Sequence, residues 1–288
     1  MLKNKFLTPI TIIFFLFSCS DSKDVKIKSD LTKGKLNGKI KTLTLMIYPY
    51  IQQSEDYVKG DIINKHLYKY NEKGMVTEHT VYNTSGGWDS KSMPKYDDKG
   101  NIIESSEFKP DSSLDKKVIF KYDDKGNQIE IDIYKPIGGL YSRAIKKYDD
   151  KNNEVEHSEY DHEGKLNGKA TYKYDGRGNE LELKYYNPDG SVINKNTRKY
   201  DDKNNIIEIT LYNSMDTIAG TSYYKYDDKG NTIEVKRYRS DGILSTKSVY
   251  KYEYDKYNNW IKKVEYNTEE KPIRIDERIM EYDNAGNK

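Results

Sequence analysis

The feature that most constrains this chain is a tandem repeat. The string Lys-Tyr-Asp-Asp-Lys-Gly-Asn, or a close variant, recurs with its tyrosine at positions 70, 96, 122, 148, 174, 200 and 226, always 26 residues apart. Two further copies, at Tyr254 and Tyr282, follow at intervals of 28. Copies this short cannot bury an apolar face alone, so they stack, each touching its neighbours.

The positions around the anchor tyrosine define two tight turns. Four residues after it stands Gly or Asn, as in Gly100, Gly126, Asn152 and Asn204. These residues reach positive φ at least cost, so Asp-Asp-Lys-Gly reads as a type I turn followed by a left-handed residue. A second turn signal follows, clearest in Asn187-Pro188-Asp189-Gly190. The runs between turns are about eight residues long, rich in Tyr, Ile, Val and Thr, with the period-2 alternation of strands. In Ile206–Tyr212, Ile207, Ile209 and Leu211 should face one side and Ile206, Glu208, Thr210 and Tyr212 the other. Helical spacing is not sustained after residue 20.

The expected fold is therefore all-β: an elongated antiparallel meander with about two strands per 26-residue repeat, able to curl into a spiral or open shell. Glu recurs eight residues after the anchor, from Glu78 to Glu234, with Lys262 in the next copy. An aromatic recurs twelve after it: Tyr82, Phe108, Tyr134, Tyr160, Tyr186, Tyr212, Tyr238 and Tyr266. The even spacing should place this column on the same face as the anchors, as two ladders of rings roughly 10 Å from copy to copy. Residues 38–50 lie outside the register and read as a capping strand, with a loop after it. The domain organisation read from the chain is 1–18, 19–37, 38–60 and the repeat domain 61–288.

Composition limits the function classes. Hydrophobic residues are 35% and charged residues 33%. The one long apolar run lies at the N-terminus, which excludes a polytopic membrane protein. A formal net charge of +2 excludes nucleic-acid binding driven by bulk charge, so no nucleic-acid partner is expected. A single Cys excludes intrachain disulfides.

That Cys ends a targeting segment. Lys3 and Lys5 precede the apolar stretch Leu7–Phe17, and Ser18 precedes Cys19. Leu16-Phe17-Ser18-Cys19 resembles a bacterial lipoprotein signal, which implies cleavage before Cys19 and its lipidation. Acyl chains then hold the protein on a membrane without a spanning helix. Removing Lys3 and Lys5 leaves 47 basic residues against 47 acidic ones, a neutral mature chain. Residues 19–37 read as the lipidated Cys and a flexible tether. Ser-Asp-Ser-Lys-Asp after Cys19 resembles the surface-export tether of lipoproteins from Bacteroidota-like bacteria, which implies an outer-membrane, surface-exposed location.

The motif Tyr96-Asp97-Asp98-Lys99-Gly100-Asn101 and its equivalents resemble the YD/RHS repeat over about residues 61–288. The resemblance implies long antiparallel sheets of bacterial surface and secreted proteins. Some members of that family enclose toxins, and related repeats are described as carbohydrate-binding. This chain departs in its longer period, in Asn where Arg usually follows the Gly, and in lacking the self-cleaving core.

No catalytic, metal or cofactor constellation emerges. The Asp pairs invite calcium, but a Lys follows each pair, and turn aspartates ordinarily accept backbone hydrogen bonds. The Glu column is uniform, whereas a catalytic pair needs two unlike environments. His66, His79, His157 and His162 are scattered. Exposed aromatics are the remaining signal, since rings stack on sugars and partners. Trp88, Tyr134, Tyr160, Tyr186, Tyr212, Tyr238 and Trp260 are the candidate ligand contacts. The sequence supports a lipid-anchored, non-catalytic envelope protein with a glycan or protein partner. A polysaccharide-acting enzyme, or a toxin-encapsulating or immunity component, is the alternative.

Overall fold

The computed structural model describes residues 29–283. A short helix, α1 (Asp30–Lys33), precedes β1 (Ile40–Gln53), β2 (Asp56–Lys59), β3 (Asn64–Tyr70), β4 (Val76–Tyr82) and β5 (Trp88–Tyr96). Then come β6 (Ile102–Phe108), β7 (Leu114–Tyr122), β8 (Gln128–Tyr134), β9 (Leu140–Tyr148), β10 (Glu154–Asp161), β11 (Leu166–Tyr174) and β12 (Glu180–Tyr186). The last are β13 (Val192–Tyr200), β14 (Ile206–Tyr212), β15 (Ile218–Tyr226), β16 (Thr232–Arg239), β17 (Leu244–Tyr254), β18 (Trp260–Tyr266) and β19 (Pro272–Tyr282).

From β3 to β19 each strand pairs antiparallel with the next in sequence. The ends of this meander do not stay open. β1 pairs with β3 along one edge and with β19 along the other, so Leu43 stands opposite both Tyr68 and Met280. The result is a closed barrel of 18 antiparallel strands, with β2 folded back on the far end of β1. The elongated open sheet, spiral or shell expected from the repeat is overturned. The strand outside the register does not cap one end; it joins both ends and removes the two unpaired edges.

Both turns of each repeat are built alike. In the Asp97 turn, the Gly100 N–H donates to the Asp97 carbonyl and the Asp97 N–H to the Asn101 carbonyl. The Asn187 turn repeats this with Gly190 and Ser191. The fourth residue has positive φ in each, +81° at Gly100 and +86° at Gly190. Asp97 Oδ1 accepts from the backbone of Lys99 (2.9 Å) and Asn101 (2.8 Å), and Oδ2 from the Asn101 side chain (2.9 Å). The first Asp of the pair therefore locks the turn, and the same bonds recur at Asp123, Asp149 and Asp201.

A register shift adjoins every turn of the repeat. Lys199 faces Glu208, yet Tyr200 faces Ile206, so one extra residue bulges between them. Such bulges bend and twist a strand, which favours closure. They also exchange the faces of everything beyond them. Ile206 therefore joins the face of Tyr200 and leaves that of Glu208 and Tyr212. The anchor ladder and the second aromatic ladder consequently stand on opposite faces, contrary to the even-spacing expectation.

From Tyr96 to Tyr226 the anchor hydroxyls share one job. Pairing of β6 with β7 ends at Glu104 and Ile119, leaving the Ile102 carbonyl beyond the last pair. The Tyr122 hydroxyl donates to it at 2.8 Å. Tyr148, Tyr174, Tyr200 and Tyr226 do the same for Gln128, Glu154, Glu180 and Ile206. The change of spacing near the end is explained here. Tyr252, which keeps the 26-residue step, bonds the Thr232 carbonyl at 2.8 Å. Two extra residues lengthen β17 to 11, and Tyr254 reaches Asp227 and Asn231 instead.

Residues 29–37, within the stretch read as tether, dock against the barrel. Leu31 packs with Ile40 and Leu43. Asp30 accepts from the Val76 N–H (2.8 Å) and the Tyr96 hydroxyl (2.7 Å). Gly74, at φ +72°, leaves room for this contact, since a Cβ there would lie 3.1 Å from Leu31 and Ser29. The remainder of the tether, Cys19 and the signal lie outside the described residues.

Tyr148→Phe should leave the Gln128 carbonyl unpaired and cost about 1–2 kcal/mol. Tyr141→Phe, at a ring 56% exposed, should cost almost nothing. Urea denaturation midpoints of the two variants check this.

Candidate binding site on the inner wall

The two faces of the barrel wall differ in chemistry. On one, Lys199 stands opposite Glu208, Thr197 opposite Thr210 and Lys195 opposite Tyr212. On the other, Tyr200 stands opposite Ile206, Arg198 opposite Ile209 and Asn196 opposite Leu211. The second is the inner face. It carries the apolar cluster of Val118, Ile131 and Ile133, and the one formed by Leu31 and Leu43. Burial pushes the hydroxyls of Tyr70, Tyr122, Tyr148 and Tyr172 up from their ordinary value.

The outer face repeats itself. Lysines before the anchors pair with the Glu column: Lys95–Glu104 at 2.9 Å, Lys173–Glu182 at 2.9 Å and Lys225–Glu234 at 3.0 Å. Where the column breaks at Lys262, its partner breaks too, and Glu253 meets it at 2.8 Å with the charges exchanged. Hydrogen bonds from Lys117 and Lys95 hold Glu104 below the usual carboxylate range. A third row sets lysines over rings, Lys195 over Tyr212 at 4.1 Å and Lys65 over Tyr82 at 4.6 Å from the centroid.

The candidate aromatics are divided between the faces. Trp88 stands opposite Tyr82 on the outer wall. Tyr134, Tyr160, Tyr186, Tyr212 and Tyr238 continue that row, opposite Lys117, Arg143, Lys169, Lys195 and Thr221. Trp260 stands opposite Tyr254 on the inner wall. The structure thus joins six of them into one outer row and separates the seventh.

Apart from the anchor tyrosines, the inner face does not repeat. Nine residues after successive anchors come His79, Ser105, Ile131, His157, Leu183, Ile209 and Val235. Two residues before successive anchors come Tyr68, Pro94, Phe120, Lys146, Tyr172, Arg198 and Tyr224. Specific chemistry collects where the copies diverge. Lys146 Nζ lies 2.9 Å from Glu154 Oε2, and His157 Nδ1 3.4 Å from Glu154 Oε1. Burial alone would lower His157, but the Glu154 and Glu159 carboxylates raise it to about 9. Burial alone would raise Glu154; His157 and Lys146 outweigh it and hold it low. Glu180, in the equivalent position one repeat on, goes the other way: burial raises it, and Arg198 offsets only part. Its Oε1 lies 2.8 Å from an Arg198 terminal nitrogen, without hydrogen-bond alignment. On another part of the wall, His66 Nδ1 and His79 Nε2 are 2.9 Å apart, and Tyr68 stacks on His79 at 4.3 Å.

Among the described residues, the buried side-chain polar atoms without a hydrogen-bond partner belong to Asn64, Gln128, His157, Glu180, Asn196, Arg198 and Arg278. All of these residues sit on the inner wall. A cavity of about 280 Å³ opens there among Tyr224, Tyr250, Tyr252, Lys263, Glu265 and Arg274. Sequence reasoning missed these groups because it followed the recurring positions. Their signal was departure from the repeat at positions that alternate with the uniform columns.

No family model matches the chain, and no curated protein matches it by sequence. Solved structures give distant geometrical likenesses. A porin-like protein from Bacteroides uniformis is 13% identical, with 85% of this chain and 98% of that one covered and a TM-score of 0.45. A porin-like protein from Bacteroides vulgatus is 10% identical over 85% and 98%, with a TM-score of 0.32. The TcdB2–TccC3 structure is 13% identical over 80% of this chain, with a TM-score of 0.28; the chain spans 15% of its length.

The two buried histidines should titrate far apart, His157 near pH 9 and His79 near pH 4, where burial and His66 hold it. His157 stabilises the fold fully below its unfolded value of 6.5, and that contribution is lost as pH rises through 9. His79 contributes above 6.5 and loses its contribution as pH falls through 4. NMR titration of the imidazole C–H resonances checks both.

Proposed function

We propose that the chain is a non-catalytic, lipid-anchored protein of the bacterial cell envelope, held on the outer membrane through Cys19. Its barrel stands in water beside the bilayer and presents its walls to a glycan or protein partner. The observation that carries this reading is the outward face. A barrel that spans a membrane turns an apolar band about 25 Å tall toward lipid, and a lysine at the midplane costs roughly 2–4 kcal/mol. Here the outward rows are Lys with Glu, then Thr80, Ser106, Ser158 and Thr210, then Lys with aromatic rings, and the apolar outward residues such as Ile119, Ile145 and Val249 stand directly beside the Glu column. Such a wall suits water, so attachment falls to the acylated Cys rather than to the strands.

The uniform rows are what repeat duplication preserves for stability, and the divergent inner wall is what a particular ligand needs. A second reading rests on Glu154 and Glu180. These unlike inner-wall carboxylates are what a polysaccharide-acting enzyme requires, although each is already committed to a cation. Loss of a polysaccharide-cleaving activity in both Glu154→Gln and Glu180→Gln would favour it.

The full chain, produced in a diderm bacterium fed radioactive palmitate, should be labelled and sediment with membranes. Cys19→Ala should lose the label and move to the soluble fraction. A Cys19→Ala protein that stays in carbonate-washed membranes would show that the strands themselves insert.

A further inference from the structure

Where the ring closes, the inner wall carries a cation that makes no ion pair, although the Asp276 carboxylate acts on it from further along the strand. Arg278, on β19 beside β1, lays its guanidinium 3.4 Å from the centroid of the Trp260 ring. Its Nε is buried without a hydrogen-bond partner. Among the described residues no carboxylate lies within ion-pair distance of it; Asp276, whose charge acts on it, is paired with other cations, and Glu265 lies further along the wall, opposite Arg274. Asp276 takes Lys263 at 2.6 Å and Arg274 at 2.7 Å. Glu265 accepts from the Ser248 hydroxyl at 2.7 Å and lies 3.4 Å from that of Tyr250. Three cations, Lys263, Arg274 and Arg278, thus face two carboxylates. Across β1, Tyr68 and His79 add rings and no charge, since burial keeps His79 neutral at pH 7 and the Tyr68 hydroxyl protonated.

A buried, unpaired cation is costly, and burial lowers Arg278 to about 10. A guanidinium is relieved best by an oxyanion, which it grips through two parallel hydrogen bonds. Next to it, Tyr252 meets Trp260 edge-on at 6.3 Å, and Lys263 lies 5.6 Å from the Trp260 centroid. Tyr252 and Lys263 also line the inner cavity of about 280 Å³, which has room for little more than one ring.

We infer that the inner wall at the barrel seam is a binding site for an oxyanion group, carboxylate, sulfate or phosphate, held by Arg278 beside the Trp260 and Tyr252 rings. A small ring acid, or one acidic unit of a longer chain, fits that chemistry. The site does not depend on the lipid anchor.

Trp88→Phe leaves Trp260 as the sole tryptophan and a reporter in contact with Arg278. The full chain with this change should be titrated with glucuronate, sulfate, phosphate and glucose at constant ionic strength set with chloride. Saturable change of emission is expected with at least one oxyanion and none with glucose. Which oxyanion acts separates an organic acid from an inorganic one. Arg278→Gln should weaken the response at least tenfold, and Glu265→Gln, which removes a negative charge from the wall of the adjoining cavity, should strengthen it severalfold. No saturable response, an equal response to glucose, or an equal response in Arg278→Gln would overturn the site. If Arg278→Gln does not fold by circular dichroism, Glu265→Gln decides: unchanged or weaker binding overturns it.

Discussion

Hydrogen bonding along both edges of β1 is the constraint on which the rest of the molecule depends. A meander of hairpins has two free edges, and free edges recruit other chains. β1 fits both at once: Leu45 faces His66 on one side and Arg278 on the other. Closure creates an inside and an outside from what is otherwise a two-faced ribbon. It also brings residues more than two hundred positions apart onto neighbouring strands, as in the Thr42–Glu281 hydrogen bond of 2.9 Å.

Once closed, the wall divides its labour. The outer rows are short-range and copied: each Lys–Glu pair needs only the adjacent strand, so duplication transmits it intact. Exposed pairs of this kind contribute little singly, but the exchanged Glu253 and Lys262 show that opposite charge, rather than a given residue, is what each position requires. The inner wall has neighbours from strands beyond the adjacent one, because curvature crowds them together. Glu180 feels the charge of Glu154 from the preceding repeat. Crowding makes each inner position beyond the anchor tyrosines a separate problem in packing and charge, which is why the other columns there differ from copy to copy.

Much of the local structure was legible in the chain. The turn register, the left-handed residues such as Asn152 and Asn204, and the two strands per repeat all follow from short-range stereochemistry. The structural role of the first turn Asp follows from it as well. Closure was not legible, because alternation in residues 40–49 marks a strand without saying how many partners it has. Nor was the facing of the rings: a single bulged residue reverses parity, and nothing in Ile206-Ile207-Glu208 announces it. Of the candidate site, Trp260 was singled out as departing from its column. Arg278 was not, since a lone Arg in a late strand gains meaning only when Trp260 and the seam surround it.

The most direct test of the closed ring is a disulfide across the seam. Thr44 on β1 and Ile279 on β19 stand directly opposite each other, a separation a disulfide can bridge. With Thr44→Cys and Ile279→Cys in a Cys19→Ala background, oxidation should give an intramolecular crosslink, seen as a mobility shift on a non-reducing gel and reversed by reductant. Two thiols that remain free under the same oxidation would mean that the ends of the meander stand apart and that the barrel is open.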